Sequence, residues 1–321
     1  MHEVVAEVWR GELAESVHRG TVVGLDADGA TALTVGTPDA VMFPRSSNKP
    51  LQALAMVRAG LDLDGELLAL ACASHSGEEF HLAGVREILS RGGLTEADLQ
   101  TPPDLPLSED ASRAKLAAGF GPEPVFMNCS GKHAAMLLTC VRNGWPTANY
   151  RDPAHPLQQL IATTIEELTG EPIGAVSVDG CGAPLFGFSL RGLATAFRAL
   201  AMAKQDTEER RVADAMNAFP QFVGGTGRDV TELMRALPGS VCKDGAEGVH
   251  AIALADGRAV TLKIADGSSR ARPVVMVAAL RALGVSSPAL DRIGAVAVLG
   301  HGEPVGSIRL AGALAQVAGR S

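Results

Sequence analysis

A single tyrosine stands among 321 residues, and aromatic side chains make up 4% of the chain. That scarcity argues against an aromatic-rich binding surface, while 36 glycines suit a compact, turn-rich enzyme. Basic runs are absent, and the formal net charge is −8. Nucleic acid and anionic membrane surfaces are therefore not expected partners. No apolar stretch is long enough to span a bilayer. The opening Met1-His2-Glu3-Val4-Val5 has neither a basic region nor an apolar one, so no signal peptide is expected. Five cysteines, Cys72, Cys129, Cys140, Cys181 and Cys242, are odd in number and lack a disulfide-scaffold spacing. In a cytoplasmic chain, the location expected here, they read as thiols or metal ligands. Repeats and low-complexity segments are missing too. What is present is a globular balance of 46% hydrophobic and 20% charged residues. That length and balance suit one large domain or two interleaved ones.

The periodicity changes twice along the chain. Val4 to Trp9, Thr21 to Leu25 and Ala32 to Val35 read as strands, with Asp26-Ala27-Asp28-Gly29 as a hairpin turn. Helical spacing dominates from about 50 to 240: Glu79 to Ser90, Ala111 to Ala118, Ala134 to Val141, Leu157 to Leu168, then 190–203 and 208–218. The short run Ala175 to Val178 reads as a strand delivering Asp179-Gly180-Cys181-Gly182 to a turn. Beyond 240 the period returns to two. Val249 to Leu254 and Ala259 to Ile264 form a hairpin around Asp256-Gly257. Val274 to Leu283 is helical, and Ala295 to Leu299 with Val305 to Leu310 close the chain as a strand pair. Hairpins at both ends imply a mixed α/β (α+β) fold with an antiparallel sheet built from both termini. The sheet lobe is expected over about 1–50 plus 240–321, and an inserted helical lobe over about 51–239.

The chemistry is organised around Phe43-Pro44-Arg45-Ser46-Ser47-Asn48-Lys49-Pro50. Ser46 and Lys49 are three residues apart, one helical turn, at the mouth of an apolar helical pattern. Pro50 is tolerated there because first-turn N–H groups lack intrahelical partners. A neutral Lys49 amine could take the Ser46 proton, and the helix N-terminus would favour developing negative charge. The plainer reading makes Ser46 or Ser47 an N-cap and Lys49 a solvated side chain.

Four further stretches carry clustered polar groups. Ser74-His75-Ser76-Gly77-Glu78 ends an apolar segment and also reads as a cap. Asn128-Cys129-Ser130-Gly131-Lys132-His133 repeats the three-residue spacing, with Cys129 and Lys132. In Asp179-Gly180-Cys181-Gly182, two glycines beside a cysteine permit close approach of a ligand. Cys129 and Cys181 could share a metal or be structural. Lys243-Asp244-Gly245-Ala246-Glu247-Gly248 opens a strand, or is a charged turn feeding an edge. Ser-x-x-Lys, a later Ser and Lys-x-Gly follow the order seen in penicillin-recognising enzymes.

Taken together, these five stretches resemble the class 3, rhizobial-type L-asparaginases, the asparaginase II family. The resemblance runs from about Glu7 to the C-terminus. It implies a fold similar to serine β-lactamases and glutaminases, and hydrolysis of L-asparagine to L-aspartate and ammonia. It implies paired Ser-Lys tandems: Ser46 with Lys49, and Ser74 with Lys243, for which Lys263 is the alternative. Asp179 would stand near the nucleophile, and Arg45, His75 and Gly245 would bind substrate. A zinc site of Cys129, Lys132 and Cys181 is implied, in a non-nucleophilic role, and a homodimer is expected. The competing expectations are a glutaminase, a β-lactam-reactive hydrolase, or a non-catalytic zinc- or metabolite-binding protein.

Overall fold

The computed structural model describes residues 2–318. In chain order the strands are β1 (Glu3–Arg10), β2 (Leu13–Leu25), β3 (Thr31–Val35), β4 (Val41–Met42), β5 (Ala175–Val178), β6 (Pro184–Ser189), β7 (Val241–Gly245), β8 (Val249–Ala253), β9 (Ala259–Ile264), β10 (Ala297–Gly300) and β11 (Glu303–Leu310). The helices are α1 (Lys49–Arg58), α2 (Gly65–Ala71), α3 (Glu79–Arg91), α4 (Glu109–Ala117), α5 (Ser130–Asn143), α6 (Pro156–Thr169), α7 (Leu190–Ala201), α8 (Glu208–Ala218), α9 (Pro220–Val223), α10 (Asp229–Ala236), α11 (Arg272–Ala282), α12 (Pro288–Ile293) and α13 (Gly312–Ala318). Two compact units divide these elements.

The first unit comprises Met1–Ser47, Phe188–Met202 and Glu232–Ser321. Among the described residues it holds an antiparallel sheet ordered β10-β11-β1-β2-β9-β8-β7, with β3 beside β2. Register is fixed by pairs such as Val8↔Ile308, Val22↔Leu262 and Lys243↔Ala251. The β2–β3 turn closes because Asp26 Oδ1 accepts from the N–H groups of Asp28 (3.0 Å) and Ala30 (2.9 Å). β2 begins eight residues before Thr21, because its first half, Leu13 to Arg19, is mostly exposed and shows no apolar alternation. α7 packs on β2, β8 and β9. The sequence groups this segment with the central helices; its apolar stripe of Leu193, Phe197 and Leu200 is buried within the sheet unit. Ser189 caps it, its Oγ accepting from Gly192 N–H at 2.9 Å.

The second unit comprises Asn48–Gly187 and Ala203–Thr231. Its centre is α1, buried at every residue from Lys49 to Val57 and packed against α5, α6 and α8. α5 starts at Ser130, four residues before the apolar period shows itself, because Ser130 to His133 are polar yet buried. α2 and β6 have no distinct sequence signal: one is a short apolar run, the other a buried strand without alternation. β5 pairs with β6 antiparallel, Val178 opposite Pro184, so Cys181 sits in the connecting turn. Among the described residues no helix is long and apolar enough to cross a membrane.

Candidate active site

Arg45–Asn48 form a 3-10 turn that runs directly into α1. Neither serine of that turn caps the helix. The N-cap is Asn48, which makes no side-chain cap bond. Ser47 is buried, and its Oγ donates to the Pro44 carbonyl at 2.7 Å. Ser46 is left half-buried as the accessible hydroxyl of the pair. Lys49 is not solvated; it is 1% exposed. Its Nζ donates to Ser74 Oγ at 3.0 Å and to the Ala73 carbonyl at 2.5 Å. The lysine of the first expected tandem thus bonds the serine of the second. Arg228, in the loop before α10, donates to the Ser74 carbonyl at 3.2 Å.

His75 is fully buried, so it is held within the second unit rather than opened to solvent. Ser130 Oγ gives its single proton to the Val125 carbonyl at 2.8 Å. His75 Nε2, 2.8 Å from that oxygen, must therefore be the protonated nitrogen. Its Nδ1 has no hydrogen-bond partner among the described residues. Burial, then His81, Lys49 and Arg228, hold the ring well below the ordinary histidine pKa.

In the first unit, β7 ends beside the serine turn. A Cβ on Gly245 would lie 2.6 Å from the Pro44 carbonyl oxygen and 3.2 Å from Ser47 N, so only glycine permits the approach. Lys243 is fully buried and donates to Asp244 Oδ1 at 2.6 Å and to the Asp244 carbonyl at 2.7 Å. Arg272 Nη1 reaches Asp244 Oδ2 and the Gly245 carbonyl, each at 3.2 Å. Lys263, the alternative lysine, is only half-buried; it donates to the carbonyls of Glu247 and, at 2.9 Å, Ile264. Arg45 Nη1 is 3.8 Å from Glu247 Oε1.

A second cluster lies in the helical unit. Lys132 Nζ is 3.2 Å from Cys181 Sγ, and the Cys129 thiol shares its proton between Asn128 Oδ1, at 3.2 Å, and Cys181. All three side chains are buried. The Cys129 bond and the Lys132 charge hold Cys181 far below the ordinary thiol range, against the effect of burial. The Cys129 thiol is pushed up by the same bond and by burial. Burial works against charge on Lys132, yet Cys181, Cys129 and Asp179 together raise its pKa. Asp179 itself is half-buried and closes its turn, with Gly182 N–H donating to its carbonyl at 2.8 Å. His133 completes the group: its Nδ1 is 2.6 Å from the Tyr150 hydroxyl, and the ring also interacts with Cys181.

The sequence profile of L-asparaginase II matches residues 6–310. The chain belongs to the L-asparaginase II family. No curated protein sequence matches it. Several solved structures are similar. A β-lactamase from Mycobacterium bovis has 14% identity and a TM-score of 0.47, with 83% of this chain and 95% of that one covered. EstCE1, a hydrolase with promiscuous acyltransferase activity, has 12% identity and a TM-score of 0.43, with coverage of 81% and 93%. A mutant simvastatin synthase (LovD) from Aspergillus terreus has 12% identity and a TM-score of 0.39, with coverage of 77% and 86%.

Family membership makes this asparaginase II chain an amidohydrolase acting on a small molecule. Within each unit the structure gathers most of the residues that the motifs single out. Lys49, Ser74 and His75 lie in the helical unit, as does the Cys129–Lys132–Cys181 set; Arg45, Lys243 and Gly245 lie in the sheet unit. Arg228 and Arg272 were not legible in the sequence. Arg272 opens an apolar helix and reads as an ordinary first-turn residue. Arg228 follows Gly224-Gly225-Thr226-Gly227, a stretch whose glycines read as a hinge.

Proposed function

We propose that the protein is an L-asparagine amidohydrolase that forms an ester between Ser46 and the aspartyl group. What supports this most is the buried Lys49 amine donating to Ser74 Oγ at 3.0 Å, two residues beyond the Ser46–Ser47 pair, in an L-asparaginase II chain. Neutral Lys49 takes the Ser46 proton as the Ser46 oxygen bonds to the side-chain amide carbon. Charge gathers on the former carbonyl oxygen, and backbone N–H groups of Ser46 and of a residue past Lys243 hold it. The C–N bond then breaks, and the proton passes from Lys49 through Ser74 to the departing ammonia. Water attacks the ester carbon, the Ser46–carbon bond breaks, and Ser46 recovers a proton. The test is ammonia release from asparagine and glutamine by the wild type and Ser46→Ala.

The donor set Cys129, Lys132 and Cys181 fits zinc. The Lys132 amine lies 3.2 Å from Cys181 Sγ, and Cys129 packs in the same buried group as Cys181. We assign these three residues as the protein ligands, a fourth position being left for water. Bound zinc supplies fixed positive charge that can orient a substrate oxygen. Lys132 must shed its proton to coordinate, so loading releases protons. Ser46 keeps the nucleophilic role.

A further inference from the structure

Ser74 lies in a segment, Ser74 to Glu78, that belongs to no helix or strand. No ladder fixes it; the run from Val223 to Arg228 does. Ser74 N–H donates to the Val223 carbonyl at 3.1 Å, and Ser76 Oγ to the Gly224 carbonyl at 3.1 Å. The Glu78 carboxylate accepts from Thr226 N–H at 2.8 Å and from Thr226 Oγ at 2.6 Å. Gly225 makes the approach possible: a Cβ there would overlap Ser76 Oγ, and its φ is +138°. The glycines that read as a hinge are therefore packed, Gly224 and Gly225 being buried. Arg228 follows them and turns back, its Nη1 donating to the Ser74 carbonyl at 3.2 Å. Ser74 Oγ accepts from Lys49 Nζ at 3.0 Å. With one lone pair filled by Lys49, the Ser74 hydroxyl proton points away from that amine.

We propose that Arg228 is the positioning residue of the proton relay: by holding the Ser74 carbonyl it sets the direction in which the Ser74 hydroxyl is offered to the departing nitrogen. A hydrogen bond from a permanently charged guanidinium is stronger than one from a neutral donor. It fixes the peptide plane after Ser74, while the Val223 carbonyl fixes the plane before it. Only the side-chain torsion then remains, and the bond from Lys49 settles it. In the relay, Ser74 Oγ takes a proton from Lys49 Nζ as it gives its own to the nitrogen. The C–N bond breaks with its electron pair on that nitrogen, which leaves as ammonia. The Glu78–Thr226 bonds anchor the run that carries Arg228 and act at one remove. This role rests on the amidohydrolase reading and deepens it.

The experiment compares two leaving groups on the full chain: L-asparagine and the β-(para-nitrophenyl) ester of L-aspartate. Ammonia needs a proton to leave; para-nitrophenolate does not. The quantity read is kcat/KM, which reports the acylation step for both. Arg228→Ala should lower it for asparagine by about a hundredfold, the cost of a small misplacement of a reacting group. The value for the ester should stay close to that of the wild type. Arg228→Lys keeps a donor and should fall between, and added guanidinium should restore part of the asparagine activity of Arg228→Ala. Ser74→Ala should show the same selective loss. If Arg228→Ala has no unfolding transition, Arg228→Lys carries the comparison. Equal losses on both substrates would reduce Arg228 to a structural role. Unchanged asparagine hydrolysis by Arg228→Ala, with a selective loss in Ser74→Ala, removes Arg228 and leaves the relay. No ammonia from the wild type removes the amidohydrolase reading and the relay with it.

Discussion

His81 is a neutral imidazole by construction. Its Nδ1 accepts the Glu78 N–H at 3.2 Å, while its Nε2 lies 2.9 Å from the Gln221 carbonyl, which can only accept. A second ring proton would oppose the Glu78 N–H. Burial lowers its pKa from 6.5 to about 4, against the opposing pull of the Gln221 carbonyl and Glu78. The unfolded chain therefore binds more protons than the native one below about pH 6.5. The stabilisation is complete above that pH and is lost as pH falls from 6.5 toward 4. His81 alone should cost roughly 2 kcal/mol between pH 7.5 and 5, and His75, shifted the same way, adds to the slope. Denaturant unfolding at the two pH values measures it. His81→Gln keeps a donor for the Gln221 carbonyl and should flatten the slope; an unchanged slope would show that the ring does not titrate on unfolding.

At the scale of elements, the end of β7 is held by charge. Asp244 sits between Lys243 and Arg272, both buried, at 2.6 and 3.2 Å. Removing one partner of a buried set costs more than the set contributes, because the remaining charges stay desolvated. Asp244→Ala should lower stability by about 3–5 kcal/mol, read by denaturant unfolding. A loss below about 1 kcal/mol, the range of exposed pairs, would mean that water reaches both cations. The start of α5 and the β5–β6 turn make the second element-scale case. They bring Cys129, Lys132 and Cys181 together, and the metal proposed there organises substrate rather than attacking it. Elemental analysis should find about one zinc per chain, lost in Cys181→Ser, in keeping with a three-ligand site. Chelation should raise KM more than it lowers kcat. Complete loss of turnover at saturating asparagine, restored only by zinc, would make the metal catalytic.

Across the whole molecule, legibility followed locality. The β2–β3 hairpin and the entry to α1 were readable because Asp26-Ala27-Asp28-Gly29 and Ser46-to-Pro50 act on neighbours within a turn. The antiparallel sheet from both termini was readable because each end carries its own hairpin. Lys49 bonding Ser74 was not readable, since 25 residues and the burial of α1 bring them together. The same holds for Arg272 on Asp244, where the partners are 28 residues apart. The sequence groups α7 with the central helices because its apolar stripe says that one face is covered, not by what. For Cys129 and Cys181 the residues alone leave a shared metal and a structural role both open, and only the resemblance adds Lys132 to them; no spacing rule links two such distant turns.

The central claim is that Ser46 is the nucleophile of an asparagine amidohydrolase. Ammonia release from asparagine and glutamine, by wild type and by Ser46→Ala of unchanged unfolding midpoint, tests it most directly. The wild type should show higher kcat/KM for asparagine, by the roughly 10–200-fold or less that one methylene allows, and Ser46→Ala should show no turnover. Ser46→Ala activity within about tenfold of wild type, a barrier change of only ~1.4 kcal/mol, would contradict it.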